Sequence, residues 1–232
     1  FLPCAGYLLG DNRRMAKNPS PAGKLWVGFA GAGASSQYHL VGWAEMTDAQ
    51  VVAICDLDES KARIKAQAFG IDSVYTDFRA MIEREQLDAV DIVTPVGTHA
   101  ELTRIAADAG LHVCCQKPLT PTVAEAQELI DYVGERVRFM VHENYRFRPH
   151  YVLMNEWLKQ GRVGKITQAR MTVRCQGMIV VGGVAPFLLN RQPYLKDFPR
   201  LLIFEVLIHN LDAMRVLLGP LDFVDKSDKV ET

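Results

Sequence analysis

Residues 25–36 read Leu-Trp-Val-Gly-Phe-Ala-Gly-Ala-Gly-Ala-Ser-Ser, an apolar run that ends in closely spaced glycines and leads into a segment compatible with a helix. This pattern is typical of a strand, turn and helix that bind the pyrophosphate of a dinucleotide. Gly31 permits the tight turn, Gly33 lets the backbone approach the anion, and the helix amides favour negative charge. The residues that open the helix complete the predicted phosphate site: Ala34, Ser35 and Ser36.

A second apolar run, residues 51–55, ends in Asp56, which lies 25 residues after Gly31. Dinucleotide sites place an acidic residue about 20 residues after the first glycine, where it binds the ribose hydroxyls. Since a carboxylate there repels a 2′-phosphate, NAD is predicted in preference to NADP. Two alternatives stay open. The first is a turn that binds no ligand, because Ser36 replaces the third glycine of the motif and such turns also occur without a ligand. The second is that Asp56 caps a helix that starts near Glu59.

The composition favours an ordinary globular chain that acts on small molecules. It has 232 residues, 49% of them hydrophobic, and a net charge of −1, which allow one large or two modest domains. No basic run indicates a nucleic-acid or membrane partner, and no apolar run reaches the ~18 residues that span a bilayer.

The N-terminus and the cysteines favour the cytoplasm. The basic pair follows the apolar N-terminal segment, the wrong order for a secretory signal, so residues 1–23 are predicted to form a tail. The five cysteines form no CxxC pair, and three lie in the predicted strands of the first domain, as expected of reduced, buried thiols.

Short β-branched runs alternate with longer helix-period segments from residue 24 onward. Strands are predicted near 25–30, 50–56, 73–75, 89–94, 111–115 and 138–142. Helices are predicted near 35–46, 58–69, 77–85, 98–110 and 122–134. The alternation predicts a doubly wound parallel sheet over residues 24–143, with ligands beyond the carboxyl ends of the strands.

A second domain is predicted over residues 144–232. Residues 146–160 have the pattern of an amphipathic helix, residues 165–175 alternate as a strand, and a loop rich in glycine and proline follows over 177–199. Residues 202–218 form a predicted helix that ends at a Gly-Pro stop signal. One strand and two helices are few for an independent domain, so this half is predicted to be incomplete in the chain.

Two segments follow predicted strands at the edge where a nicotinamide ring would lie. Lys117 ends the fifth strand, where its ammonium group could stabilise negative charge on a substrate oxygen; the alternative is a solvated lysine held by the next proline. Thr94, Pro95 and His99 follow the fourth strand and are predicted to line the cofactor, with Thr98 as the cap of the next helix. His99 could also be only a first-turn helix residue.

Three ionisable residues form a stripe at i, i+4 and i+7 on the otherwise apolar 202–218 segment: Glu205, His209 and Asp212. A histidine can take the proton of an alcohol while hydride departs, and a neighbouring carboxylate can fix its tautomer. The alternative is a hydrogen-bonded pair of Glu205 and His209 at the edge of a core. His209 has no second histidine at metal-ligand spacing, so no metal site is predicted.

Arg146 lies in the Asn144–Pro149 segment at the predicted domain junction. A guanidinium there could face a substrate or form an ion pair. The sequence gives these two interpretations equal weight.

The number and order of these motifs resemble the Gfo/Idh/MocA oxidoreductases. The resemblance extends from residue 24 to 220, and the chain carries its motifs in order: Gly31-Ala32-Gly33 with His39 downstream, Asp56, Thr94-Pro95 with His99, Gln116-Lys117-Pro118, residues 144–149, residues 161–166, and Glu205 with His209 and Asp212. Two positions differ from the family pattern, because Gln116 stands where Glu is usual and Glu205 where Asp is commoner. The family's second sheet is also larger than what remains of this chain.

The resemblance implies an α/β fold in two parts: an N-terminal Rossmann domain and a C-terminal α+β domain with a mostly antiparallel sheet. It implies NAD(P)-dependent oxidation or reduction of sugars, cyclitols or related polyols. It also implies a homo-oligomer, dimer or tetramer, where the C-terminal sheet is complete. Lys117, Glu205 and His209 correspond to catalytic residues, and Arg146 and Asp212 are further candidates for substrate binding.

The sequence therefore predicts an NAD-dependent dehydrogenase in which His209 is the base and Lys117 polarises the reacting oxygen. Glu205 and Asp212 would orient the histidine or bind hydroxyls. One alternative is a non-catalytic NAD(P)-binding module, such as a redox sensor or scaffold subunit. Another is a carbonyl or enone reductase of the same fold.

Overall fold

A computed structural model describes residues 23–173 and 203–219. Within these ranges the chain divides into two compact units, the first ending at His142 and the second beginning at Glu143. Most of the predicted tail and the loop predicted over 177–199 lie outside the described residues. No helix in the described ranges is both long and apolar enough to cross a membrane.

The first unit is built on a parallel sheet with helices between its strands. The strands are β1 (Leu25–Ala30), β2 (Ala49–Cys55), β3 (Ser73–Tyr75), β4 (Ala89–Ile92), β5 (His112–Gln116) and β6 (Phe139–His142). The helices are α1 (Ser36–Ala44), α2 (Glu59–Phe69), α3 (Phe78–Arg84), α4 (His99–Asp108) and α5 (Val123–Val133). All neighbouring strands are parallel, in the order β3-β2-β1-β4-β5-β6. The predicted doubly wound sheet is confirmed.

The central strands β1 and β4 are apolar because both faces of the sheet are covered there. All four residues of β4 and the last four of β1 are buried. Leu40 of α1 and Ala62 of α2 belong to one apolar cluster, and Met81 of α3 and Ala106 of α4 belong to another. Strands that are buried on both sides form nearly continuous apolar runs, and these runs are what the sequence displays.

Side-chain caps define where several helices begin. Asp58, Asp77 and Thr122 accept backbone N–H hydrogen bonds at the starts of α2, α3 and α5. Thr98, which was predicted to cap α4, makes no such bond. Its hydroxyl donates instead to the carbonyl oxygen of Pro95 at 2.8 Å, within the short 3-10 helix Val96–Thr98.

The second unit begins with the 3-10 helix Tyr145–Phe147 and α6 (Pro149–Lys159). Later it contains a π-helix (Ile203–Leu207) that continues into α7 (Ile208–Leu218). The helix predicted from residue 146 therefore starts only at Pro149. A proline disfavours helical backbone in the residue before it, and Arg148 is accordingly extended, with φ of −64° and ψ of 137°.

The strand predicted over residues 165–175 is wrong for the part that the structure describes. Residues 165–173 form no strand, and nearly all of them are exposed. A strand is held by hydrogen bonds to a neighbouring strand, and the described residues provide none for this segment. Alternating hydrophobicity alone did not determine the structure here.

Candidate active site

The turn after β1 requires glycine at one position. Gly31 has φ of +103°, and a Cβ built on it would lie 2.5 Å from the carbonyl oxygen of Val93. Its N–H donates to the carbonyl of Cys55 at 2.8 Å, which ties the turn to the end of β2. At Gly33 an added Cβ would meet no atom within 4 Å. The turn therefore leaves open space where the predicted phosphate would approach the backbone.

Asp56 links the end of β2 to the glycine turn. Its Oδ2 accepts a hydrogen bond from the N–H of Ala32 at 2.6 Å, and its Oδ1 accepts one from the N–H of Asp58 at 2.8 Å. The residue that caps α2 is Asp58, so the alternative in which Asp56 caps this helix is wrong. Both oxygens of Asp56 are instead fixed by backbone N–H groups beside the turn.

Ser36 occupies the place of the third motif glycine. It is fully buried at the start of α1, and its hydroxyl donates to the carbonyl oxygen of Gly33 at 2.6 Å. Ala34 and Ser35 lie between Gly33 and this helix. The first turn of α1 contains no acidic residue. No negative side chain therefore competes with an anion for the positive end of the helix dipole. These features are compatible with an anion at the turn. The Ser36 hydroxyl forms its own hydrogen bond within the turn.

The sheet topology brings the remaining Rossmann-unit candidates to the same edge. Gly31 follows β1, Asp56 follows β2, Thr94 follows β4 and Lys117 follows β5. Adjacent parallel strands end at one edge, and doubly wound folds bind ligands there. Lys117 is half-buried and Pro95 is exposed.

His99 joins the loops after β4 and β5. Its ring is buried, with Nδ1 2.9 Å from the carbonyl oxygen of Pro118 and Nε2 2.8 Å from that of Thr94. Burial lowers the pKa of His99, and the positive charge of Lys117 lowers it as well. Because carbonyl oxygens only accept, a neutral ring donates to one of them at a time. Each ring nitrogen thus faces a carbonyl oxygen of one of these loops, and the ring proton bonds to one of the two.

A buried polar chain runs from the core to the backbone of Lys117. Asp91 in β4 is 1% exposed, and its Oδ2 lies 2.8 Å from His39 Nδ1 and 2.7 Å from the indole nitrogen of Trp43. His39 Nε2 lies 2.9 Å from Gln116 Nε2, and Gln116 Oε1 accepts the Lys117 N–H at 2.7 Å. Sequence analysis missed Asp91, although a lone carboxylate in an apolar strand is a visible signal.

The Asp91 carboxyl is ionised despite its burial. Burial opposes ionisation, but the attraction of His39 when its ring is protonated, together with the hydrogen bonds from His39 and Trp43, outweighs it and lowers the pKa of Asp91. Its Oδ1 is buried without a hydrogen-bond partner among the described residues. The buried charge therefore depends on the partners at Oδ2.

Two buried cysteines of the sheet, Cys55 and Cys115, are poor nucleophiles. Burial, followed by the charges of Asp56 and Asp77, raises the pKa of Cys55 to about 12. Burial likewise raises the pKa of Cys115 to about 12. Thiolate chemistry at neutral pH is therefore excluded at both. Across residues 23–173 and 203–219, no group of three or more His, Cys, Asp or Glu side chains could hold a metal ion.

The second unit holds a histidine–carboxylate pair. His209 Nδ1, in α7, lies 2.7 and 2.8 Å from the two carboxylate oxygens of Glu143. Glu143 is only 8% exposed, and its Oε1 also accepts the N–H of Tyr145 at 3.1 Å. Since a carboxylate only accepts, the proton of a neutral His209 is on Nδ1, and Nε2 is the basic nitrogen.

An aromatic stack fixes the plane of the His209 ring. The Tyr145 ring lies parallel to it, with ring centroids 4.3 Å apart and an interplanar angle of 10°. The Arg148 guanidinium lies 3.5 Å from the centroid of Tyr145. The ring is thus held by a carboxylate at its Nδ1 edge and by a π-stack.

Arg146 and Asp212 form a two-point ion pair. The Arg146 Nε donates to Asp212 Oδ2 at 2.8 Å, and its Nη2 donates to Oδ1. Of the two interpretations of Arg146, the structure shows the ion pair. It also shows that Asp212 binds this guanidinium while Glu143 binds His209.

Glu205 lies in the π-helix Ile203–Leu207, before α7 begins. The predicted i, i+4 stripe assumed one continuous α-helix, and the π-helix, with its wider turn, changes the register. The carboxylate on His209 Nδ1 comes from Glu143, which sequence analysis missed. The available signal was an acidic residue directly after the last strand of the sheet.

Comparison with known proteins identifies the family to which the chain belongs. Residues 25–144 match the model of the Gfo/Idh/MocA oxidoreductase family, described by its NAD-binding Rossmann fold. D-apiose dehydrogenase of Paraburkholderia graminis is 36% identical over 190 residues, which cover 82% of this chain and 48% of that protein. D-xylose 1-dehydrogenase (NADP(+)) 2 of Haloferax volcanii is 38% identical over 124 residues, 53% of this chain and 37% of that protein.

A solved structure shows the same architecture. An oxidoreductase from Agrobacterium radiobacter, in complex with NAD+, L-tartaric acid and magnesium, has a TM-score of 0.73 and 25% identity, covering 84% of this chain and 55% of that one. The chain belongs to the Gfo/Idh/MocA oxidoreductase family. It spans about half the length of the curated relatives that it matches.

Proposed function

We propose that the protein is an NAD-dependent dehydrogenase that oxidises a hydroxyl-bearing carbon of a sugar, cyclitol or related polyol. The observation that carries this proposal is the pairing of His209 Nδ1 with the buried Glu143 carboxylate. It gives the chain a base of defined tautomer, in addition to a fold that binds dinucleotides. The names of the relatives, which include apiose, levoglucosan, xylose and inositol dehydrogenases, support the substrate class.

In this proposal each polar residue has a defined task. His209 Nε2 takes the proton of the substrate hydroxyl, and Glu143 stabilises the imidazolium that forms. Lys117 is assigned the polarisation of the reacting oxygen, where its ammonium group would stabilise the developing negative charge. The nicotinamide, when bound, supplies the acceptor for the hydride. Glu205, Asp212 and Arg146 are proposed to bind further hydroxyl groups or to position those that do.

The proposed cofactor site is the edge of the first unit. The backbone at Gly31, Gly33, Ala34 and Ser35 would hold the pyrophosphate, and Asp56 would bind the ribose hydroxyls. Thr94, Pro95 and Lys117 would line the nicotinamide end. Ser36 and His99, whose polar atoms bond within the turn and between the loops, would act by holding these segments.

The buried thiols favour the cytoplasm, and a homo-oligomer is proposed for the protein with a complete C-terminal sheet.

Alanine substitutions at the two motif glycines are expected to distinguish a loss of folding stability from a loss of cofactor affinity. Gly31→Ala is expected to lower the free energy of unfolding by about 2 kcal/mol, because its Cβ would meet the carbonyl of Val93 at a strained φ. Gly33→Ala is expected to change stability by less than about 0.5 kcal/mol. It should nevertheless weaken NADH binding at least about tenfold, since the methyl group would occupy the phosphate's space. Denaturant unfolding and NADH fluorescence titration measure the two effects; unchanged NADH affinity in Gly33→Ala would contradict the phosphate site.

Cofactor choice is tested at Asp56. The wild-type protein is expected to bind NADH more tightly than NADPH, and Asp56→Ser to shift the affinity ratio toward NADPH by roughly tenfold, because a repulsive charge is removed. Asp58→Ser is the matched control: it removes the same charge two residues away and keeps a side chain that can cap α2. Equal effects of the two changes would mean that general charge, not the ribose contact, sets the preference.

Turnover tests the function as a whole. The purified protein is incubated with NAD and a panel of sugars and cyclitols, and NADH formation is followed by absorbance. Production of NADH with any of them supports the proposal. NADH binding without turnover would favour a non-catalytic module, and activity confined to NADH oxidation with carbonyl compounds would favour a reductase.

A further inference from the structure

The orientation of the Gln116 amide is determined by a backbone group. Its Oε1 accepts the N–H of Lys117 at 2.7 Å. A main-chain N–H can only donate, so the oxygen must face Lys117 and the NH2 group must face His39. Unlike most glutamine side chains, this one cannot be rotated by 180° without bringing two donors together.

The His39 tautomer follows from that orientation. Gln116 Nε2 lies 2.9 Å from His39 Nε2, and an NH2 group can only donate, so His39 Nε2 must offer a lone pair. The remaining proton is therefore on Nδ1, which lies 2.8 Å from Asp91 Oδ2. Each hydrogen bond from Asp91 to the Lys117 backbone then has one donor and one acceptor.

A second proton on His39 would break this chain. An N–H at Nε2 would face the NH2 of Gln116, and rotating the amide would move the same clash to the N–H of Lys117. His39 is buried, at 7% exposure, and Gln116 is half-buried, so water cannot easily replace the lost partner at the His39 ring.

The charged groups around His39 act in opposite directions. Asp91 of β4 faces Nδ1 and attracts a positive ring. His142 of β6 lies with its ring centroid 4.1 Å away and repels a positive ring whenever it is itself protonated. Phe29 of β1 and Trp43 of α1 are uncharged, and the Trp43 N–H shares Asp91 Oδ2 with His39. Gln116 is thus the neighbour whose NH2 group opposes an N–H at His39 Nε2.

We infer that Gln116 is a positioning residue, which holds His39 as the neutral Nδ1–H tautomer and thereby fixes the backbone of Lys117. The consequence for catalysis rests on the proposed function, because it is there that Lys117 contacts the substrate oxygen. A glutamate at position 116 could accept from both the Lys117 N–H and a doubly protonated His39. The glutamine therefore disfavours proton uptake at His39 and so preserves the hydrogen-bonded chain that ends at the Lys117 backbone.

The tautomer can be observed directly by long-range ¹H–¹⁵N NMR on the ¹⁵N-labelled protein, with His39→Gln to assign the signals. At pH 7, wild-type His39 is expected to show a protonated Nδ1 and an unprotonated Nε2. In Gln116→Glu, the doubly protonated fraction at pH 7 is expected to rise roughly tenfold, the effect of one added negative charge in contact. Gln67→Glu, on the exposed surface of α2, makes the same chemical change away from His39 and should leave its signals unaltered.

Two results would overturn the inference. One is a proton on Nε2 of wild-type His39, which can be seen even if Gln116→Glu does not fold. The other is a folded Gln116→Glu protein whose His39 protonation matches that of wild type. The spectra require no substrate, so absence of dehydrogenase turnover would refute the proposed function and leave this result standing.

Discussion

Glu143→Gln is expected to reduce kcat by roughly 100-fold or more while changing the Kd for NADH by less than about twofold. The substitution keeps the shape of the side chain, so the stack of Tyr145 on His209 can persist. It removes the negative charge that stabilises the imidazolium formed when His209 takes a proton. The amide can also present its NH2 to Nδ1, which would place the ring proton on Nε2 and abolish the base.

The measurement is steady-state kinetics with the best polyol from the panel, beside NADH titration and thermal unfolding. Glu156→Gln, an exposed position on α6, removes the same charge from the same unit and is the matched control. Glu205→Gln is the competing variant. A larger loss of kcat in Glu205→Gln than in Glu143→Gln would contradict the assignment of Glu143 and restore the partner that the helical spacing suggested.

The first unit could be predicted because its information is local. Each strand is a short apolar run, and residues such as Asp58, Asp77 and Thr122 mark where helices start. The positive φ of Gly31 is also local, since it follows from a motif of a few residues, whereas the hydrogen bond of Gly31 to Cys55 joins the turn to the neighbouring strand. Local features were therefore enough to place these elements, although not the contacts between their side chains.

The second unit could not be predicted to the same extent, because its elements depend on partners far away in the sequence. Residues 165–173 alternate in hydrophobicity but have no strand beside them among the described residues. The 202–218 helix was located correctly, yet nothing in its composition indicates that Ile203–Leu207 is a π-helix. Local periodicity gives the position of such a helical segment, but it does not show which of its side chains share one face of the helix.

The same limit explains the site residues that were missed. Glu143 and His209 are 66 residues apart, and Gln116 and His39 are 77 apart. Spacing rules within one helix favoured Glu205 because it was four residues away, whereas the fold brought a carboxylate from the end of β6. Sequence could identify the residue types needed for chemistry, and the fold decided which of them touch.

Lys117→Met is expected to lower kcat roughly 100-fold to 1000-fold, the usual cost of removing one donor from a developing oxyanion. NADH affinity should fall far less, by about threefold, because methionine keeps most of the side-chain volume while the pyrophosphate and ribose contacts lie elsewhere on the edge. Lys159→Met, at the exposed end of α6, controls for loss of a positive charge. If kcat were retained and only NADH affinity fell, Lys117 would bind the cofactor without polarising the substrate. Among the assigned residues, catalysis would then rest on His209 and Glu143 alone.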